Sequence, residues 1–186
     1  MVIVTIVVLI ILVLLVLGAF VLFYNRFVTL ENRIDNSLSQ INVQLKRRAD
    51  LVPNLISTVK GYVKHEKGVI TEVTNARKAL VGAKDITGKA KAGAKLQSAL
   101  GSLFAIAENY PQLKANENFL QLQQELASIE DKVAYSRQYY NDSILSYNNM
   151  VETFPGVFFA KLYGKEEKKF LEIASEEKAV PKVDFN

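Results

Sequence analysis

The sequence predicts an all-α protein: an N-terminal transmembrane helix followed by an antiparallel four-helix-bundle-like domain with two long helices. Three observations predict it. MVIVTIVVLIILVLLVLGAFVLFYN, residues 1–25, holds no Asp, Glu, Lys, Arg or His. Two later segments place apolar side chains at alternating steps of four and three, the spacing of a helix seam. No segment shows the period-two alternation of a half-buried strand.

The first element is the anchor. About 20 apolar residues cross a bilayer core as a helix, so residues 1–25 suffice with some tilt. Phe20, Phe23, Tyr24 and Phe27 cluster where an interfacial aromatic belt belongs. A secretory signal would have a basic start, a shorter apolar core and a small-x-small cleavage site. Here the start is uncharged, LGAF is the only small-residue interruption, and apolar sequence continues beyond it. The segment therefore reads as a retained anchor. No cation precedes it, whereas Arg26, Arg33, Lys46, Arg47 and Arg48 follow. The positive-inside tendency then expects a single-pass protein of the cell membrane, N-terminus outside and C-terminal domain cytoplasmic.

The first seam runs Leu30, Ile34, Leu38, Ile41, Leu45, Arg48, Val52, Leu55, Val59 and Tyr62. It crosses QLKRRADLVPNL, where a proline follows three cations. A proline inside a helix removes a hydrogen bond and clashes with the preceding turn, at a cost of about 3 kcal/mol. The seam nonetheless keeps its phase across Pro53, which favours a kinked but continuous helix with Pro53 beside the buried seam. Arg48 sits on the seam, as does Arg137 in the second stripe. Either both guanidiniums are polar layers paired with a carboxylate or amide, drawn from Asp50, Glu72, Glu130, Asp131 and Asn141, or both reach solvent past their aliphatic stems. A lipid-binding role for Lys46, Arg47 and Arg48 needs a bend. On a straight helix Arg48 lies 24 residues beyond Tyr24, about 36 Å, against a Debye length of about 8 Å.

Val69, Ile70, Val73, Ala76 and Leu80 mark a shorter helix, and Leu96, Leu100, Leu103, Ala107 and Tyr110 another, closed by Pro111. GAKDITGKAKAGAK, residues 82–95, has little to bury and reads as a mobile linker. The second long stripe runs Phe119, Leu122, Leu126, Ile129, Val133, Arg137, Tyr140, Ile144, Tyr147 and Val151, capped by Asn116 or by Asn118 with Gln121. After it, FPGVFFAKLYG concentrates Phe154, Phe158, Phe159, Leu162 and Tyr163 around Pro155 and Gly156. These side chains are expected to pack on the bundle, on a neighbouring chain or into the membrane surface. A polar helix-like piece, KEEKKFLEIASEEK, and an extended end follow. The expected division is thus an anchor over 1–25, a helical bundle over 26–153, and an aromatic docking segment with tail over 154–186.

Chemistry is sparse. A net charge of +4 is mild and carries no nucleic-acid signature. Cysteine is absent, and His65 is the one histidine, so neither a zinc site nor a catalytic dyad has the residues it needs. His65, followed by Glu66 between two helices, reads as a turn or capping residue. GAKDITGKA departs from a phosphate loop in glycine spacing, in the residue after Lys89, and in lacking a preceding strand. The tyrosines at 135, 139, 140 and 147 do not share one face, which argues against base stacking; Tyr140 and Tyr147 belong to the seam. No catalytic, cofactor-binding or metal residue is expected, and the chain reads as not an enzyme.

The sequence resembles the LemA family. The resemblance is carried by the uncharged anchor ending in YN, by QLKRRADLVPNLISTVKGYVKHE, by AENYPQLKANENFLQLQQELASIEDKVAYSRQYYN, by YNNMVETFPGVFFAKLYG and by the terminal PKVDF. It implies a membrane-anchored, largely α-helical bacterial protein with a small external N-terminus and a helical bundle; it supplies no activity. Some members are encoded near membrane metalloproteases. Two functions are expected in competition. One is a scaffold that binds the lipid bilayer and forms a homo-oligomer through its seams and aromatic segment. The other is an adaptor or regulatory subunit of a membrane protein partner such as a metalloprotease.

Overall fold

The computed structural model describes residues 1–63 and 66–171. Among them every regular element is an α-helix: α1 (Val2–Lys60), α2 (Lys67–Gly82), α3 (Ile86–Ala107), α4 (Pro111–Lys114), α5 (Glu117–Glu152) and α6 (Gly156–Leu162). His65 and the C-terminal tail from residue 172 lie outside the described residues.

α1 is unbroken through Pro53. Its start is apolar and exposed, and an 18-residue window of it long and apolar enough to cross a membrane has none of its residues buried. Further along, Phe27, Leu30, Ile34, Ile41, Leu45, Val52, Leu55 and Val59 are buried. The seam drifts at two points. Ser37 is buried where Leu38 was expected to be, its hydroxyl donating to the Ile34 carbonyl at 2.7 Å. At the far end Val63 is buried and Tyr62 is exposed. A helix of 3.6 residues per turn drifts against a 3.5-residue repeat, so a long seam changes register by one position somewhere.

Residues 82–95 are not a mobile linker. Asp85 caps α3, its carboxylate accepting from the Gly88 amide at 3.0 Å, and the helix continues through Lys89 to Ala107. Little apolar area is buried here, but Ala92 and Gly93 are themselves buried. Small side chains let helices approach closely: a Cβ on Gly93 would stand 3.3 Å from Leu45 Cδ2. Lys89 Nζ donates to Asn42 Oδ1 at 2.8 Å. The Ala- and Lys-rich composition is a good helix former once capped.

Asn116 caps α5 by accepting from the Phe119 amide at 3.0 Å, which leaves Asn118 and Gln121 out of the cap. The piece after α6 is not helical over residues 165–170.

Two compact units result. One joins Met1–Ser37 to Gln138–Phe170, and the other joins Leu38–Arg137 to Leu171. The first has a core of Phe27, Leu30, Ile34, Ile144, Tyr147, Phe159 and Ala160. The second is mostly aliphatic, with Val73 and Leu80 of α2, Leu96, Leu100 and Leu103 of α3, Leu113 of α4, and Leu126 and Val133 of α5 beside the α1 seam.

Candidate functional site

In the 38–137 unit the three cations of the KRR run have three fates, because a helix turns about 100° per residue. Lys46 is exposed and pairs with Asp50 one turn on, at 3.1 Å. Arg47 lines an open groove of about 410 Å³ with Asp50, Leu51, Glu125, Ile129 and Lys132. Arg48 points inward, and its side chain is 1% exposed and ion-paired with Glu130 of α5. Burial and then the positive charge of Arg137 lower the Arg48 pKa to about 10. That direction fits a charge removed from water, which Glu130 compensates. Arg137 is half-buried, and its Nη2 would lie 3.6 Å from a Cβ on Gly93. A buried guanidinium, Arg48, thus lies beside a half-buried carboxylate, Glu130, and a half-buried second guanidinium, Arg137.

Pro53 is exposed, and its effect is felt one turn back. With no N–H on Pro53, the Ala49 carbonyl lacks its intrahelical donor. Arg77 of α2 supplies one, its Nε donating to the Ala49 oxygen at 2.6 Å. The sequence foretells the orphan carbonyl, four residues before the proline. It does not say which residue fills the gap, because Arg77 comes from 28 positions away.

In the 1–37 and 138–170 unit the aromatic segment divides. Phe159 is buried, stacked on Phe23 at 4.2 Å between ring centroids and edge-on to Phe20 at 5.2 Å. The Tyr163 hydroxyl donates to the Phe20 carbonyl at 2.8 Å, and its ring meets Tyr24 and Phe27 edge-on. Phe154, Phe158 and Leu162 point away and are 86%, 58% and 55% exposed. Gly156 is obligatory here, since a Cβ would collide with the Met150 carbonyl.

Four further residues that the sequence did not single out hold this unit together. Lys165 Nζ donates to both oxygens of Glu31, at 2.9 and 2.8 Å. Asn148 brackets the backbone of Lys168, accepting from its amide at 2.9 Å and donating to its carbonyl at 2.8 Å. Lys168 Nζ sits 5.2 Å from the centre of the Tyr147 ring. Burial and then Asp35 raise the Tyr140 pKa; burial and then Glu31 raise that of Tyr147.

A second open groove, also about 410 Å³, is lined by Gln40, Gln44, Ser128, Asp131, Lys132, Tyr135 and Ser136. Among the described residues no three of His, Cys, Asp or Glu gather as a metal site. What the geometry offers is two shallow, mixed-charge grooves and an exposed aromatic stripe: surfaces for contact.

The class of protein is thereby defined as an all-helical protein whose first helix is long and apolar enough to cross a membrane. Residues 37–185 match the model of the LemA family, and the chain belongs to that family. It is similar to protein LemA of Metamycoplasma hominis, 28% identical over 143 residues that cover 74% of this chain and 65% of that protein. It is also similar to magnetosome protein MamQ of Magnetospirillum gryphiswaldense, 25% identical over 167 residues, covering 76% of this chain and 61% of the relative. Magnetosome protein MamQ 2 of Paramagnetospirillum magneticum is 24% identical over 182 residues, covering 84% and 67%. The first two matches thus span less than two thirds of those relatives' lengths.

Proposed function

We propose that this chain is a non-enzymatic, membrane-anchored helical scaffold that self-associates in the bacterial cell envelope, single-pass, with its C-terminal domain cytoplasmic. One observation carries the reading. The apolar start of α1 is exposed along its length, yet the same unbroken helix goes on to bury Ile41, Leu45, Val52 and Leu55. Exposed apolar surface of that extent is stable only when something apolar covers it, and the bilayer is the cover that its length fits. An antiparallel bundle is supported by two pairs in the 38–137 unit: Tyr62 with Asn116, and Arg48 with Glu130. Fourteen residues back along the first chain segment accompany fourteen forward along the second. The absence of cysteine and the single histidine favour contact over catalysis.

The seams themselves are filled by this chain's own residues, so self-association falls to outer surfaces. The open groove lined by Arg47, Leu51, Glu125 and Ile129 is one such surface. A membrane tether raises the encounter rate between copies, so a weak patch suffices.

The mass of the full-length protein, extracted gently from native membranes with its co-purifying proteins identified, tests the reading. A large particle of this chain alone is the expected result. A small particle holding one unlike membrane protein overturns self-association and makes the chain an adaptor of that partner.

A further inference from the structure

We propose that α6 lies in the headgroup layer of the bilayer that α1 crosses, with Phe154, Phe158 and Leu162 seated among the lipid acyl chains. The inference rests on the anchor reading and adds a second, independent contact with the same membrane.

Four observations lead to it. The first is depth. Phe20 stands six residues, about 9 Å along the helix axis, before Arg26, the first charged residue. That places Phe20 and Phe23 at the boundary between acyl chains and headgroups, and Phe159 and Tyr163 fasten α6 to those same two turns. The second is orientation. Phe154 is exposed just before α6, and on the helix itself Phe158 and Leu162, four apart, form one stripe. It points away from the Phe159–Ala160–Tyr163 side that packs inward.

The third is continuity. Val21, Leu22 and Tyr24 of α1 are exposed at the level of the attachment point, 59%, 70% and 51%, so the span and α6 both present apolar side chains there. Water would meet both, and one bilayer covers both. The fourth is charge. Lys161 on α6 and Arg26 on α1 are exposed, at the level where lipid phosphates would lie. A short helix apolar on two sides, with a lysine between them, suits an interface better than water.

The chain contains no tryptophan, so a single introduced one reports alone. Full-length Phe158→Trp is reconstituted into vesicles of phosphatidylcholine and phosphatidylglycerol carrying bromine either high on the acyl chain or at its end. Leu9→Trp serves as a span control and Tyr135→Trp as a water-exposed control. Leu162→Trp repeats the test should Phe158→Trp perturb the fold. The expected result is blue-shifted emission from position 158, quenched several-fold more than position 135 and most strongly by the shallow bromine. Position 9 is quenched best by the chain-end bromine.

Water-like, unquenched emission at 158 beside a quenched position 9 overturns the inference and leaves the anchor standing. Blue-shifted but unquenched emission at 158 also overturns it, marking the stripe as a contact between two copies. An unquenched position 9 removes the anchor and this inference with it.

Discussion

Lys165 and Glu31 meet in the unit of residues 1–37 and 138–170, whereas Arg48 and Glu130 meet in the unit of residues 38–137. In the first pair both side chains keep contact with water, at 21% and 28% exposure. In the second Glu130 is likewise 28% exposed, but Arg48 retains only 1% and depends on its partner. The cores differ accordingly. The first unit is assembled from rings, with Phe20, Phe23, Phe27, Tyr147, Phe159 and Tyr163 in contact. The second is assembled mostly from aliphatic side chains, with a charge inside. Two ion pairs of like composition therefore contribute differently. Desolvation, rather than attraction, sets how much is lost when one partner goes.

Removing Glu130 should do the most harm. Glu130→Ala leaves a buried guanidinium uncompensated and is expected to lower unfolding stability by about 3–5 kcal/mol, measured by denaturant titration in detergent. Arg48→Met combined with Glu130→Leu should instead be neutral or stabilising by about 1–4 kcal/mol. If the single change is harmless, Arg48 is not held by Glu130. In the other unit, Lys165→Ala should cost only about 0–1 kcal/mol, because the Glu31 carboxylate keeps access to water.

Two glycines sharpen the contrast. Gly156→Ala forces a methyl into the Met150 carbonyl and should cost about 1–3 kcal/mol, with amides of α6 losing exchange protection first. Gly93→Ala meets Leu45 Cδ2 at 3.3 Å, a contact the leucine relieves by a small shift. About 1 kcal/mol of helix propensity offsets it, so the change should be close to neutral.

The proline repair gives a more specific effect. Arg77→Ala should cost about 1–3 kcal/mol by leaving the Ala49 carbonyl unmatched. In a Pro53→Ala background the intrahelical N–H returns, and most of that cost should vanish. A double-mutant cycle that comes out additive would show that Arg77 does not serve the proline gap.

The smallest effect is on pH. Tyr140 and Tyr147 have folded pKa values raised above the ordinary 10.0. Their contribution to stability is complete below the unfolded value and is lost as pH rises through the raised one. Melting temperature should therefore fall above about pH 10, and Tyr147→Phe should flatten part of that fall.

Much of this was legible in residue spacing. The apolar run, the two long helices and the continuity through Pro53 follow from periodicity, which reports one face of a helix whatever lies opposite. The helix over residues 86–95 was not legible: Lys, Ala and Gly bury little, and the buried Gly93 makes its contribution by being absent. The aromatic segment was visible as a cluster but not as buried and exposed members, since Phe159 is buried while its neighbour Phe158, whose ring meets it edge-on at 5.4 Å, is exposed.

From the chain alone, then, come the two long helices, the anchor-like span, the family and the presence of two arginines on seams. Each of these depends on local spacing, or on a match along the chain. Only the tertiary structure decided which carboxylate faces Arg48, that Arg77 supplies the hydrogen bond Pro53 removes, and which rings of the 154–163 segment face inward. Those outcomes need partners brought from distant positions, and the distances between side chains that set their energies exist only after folding.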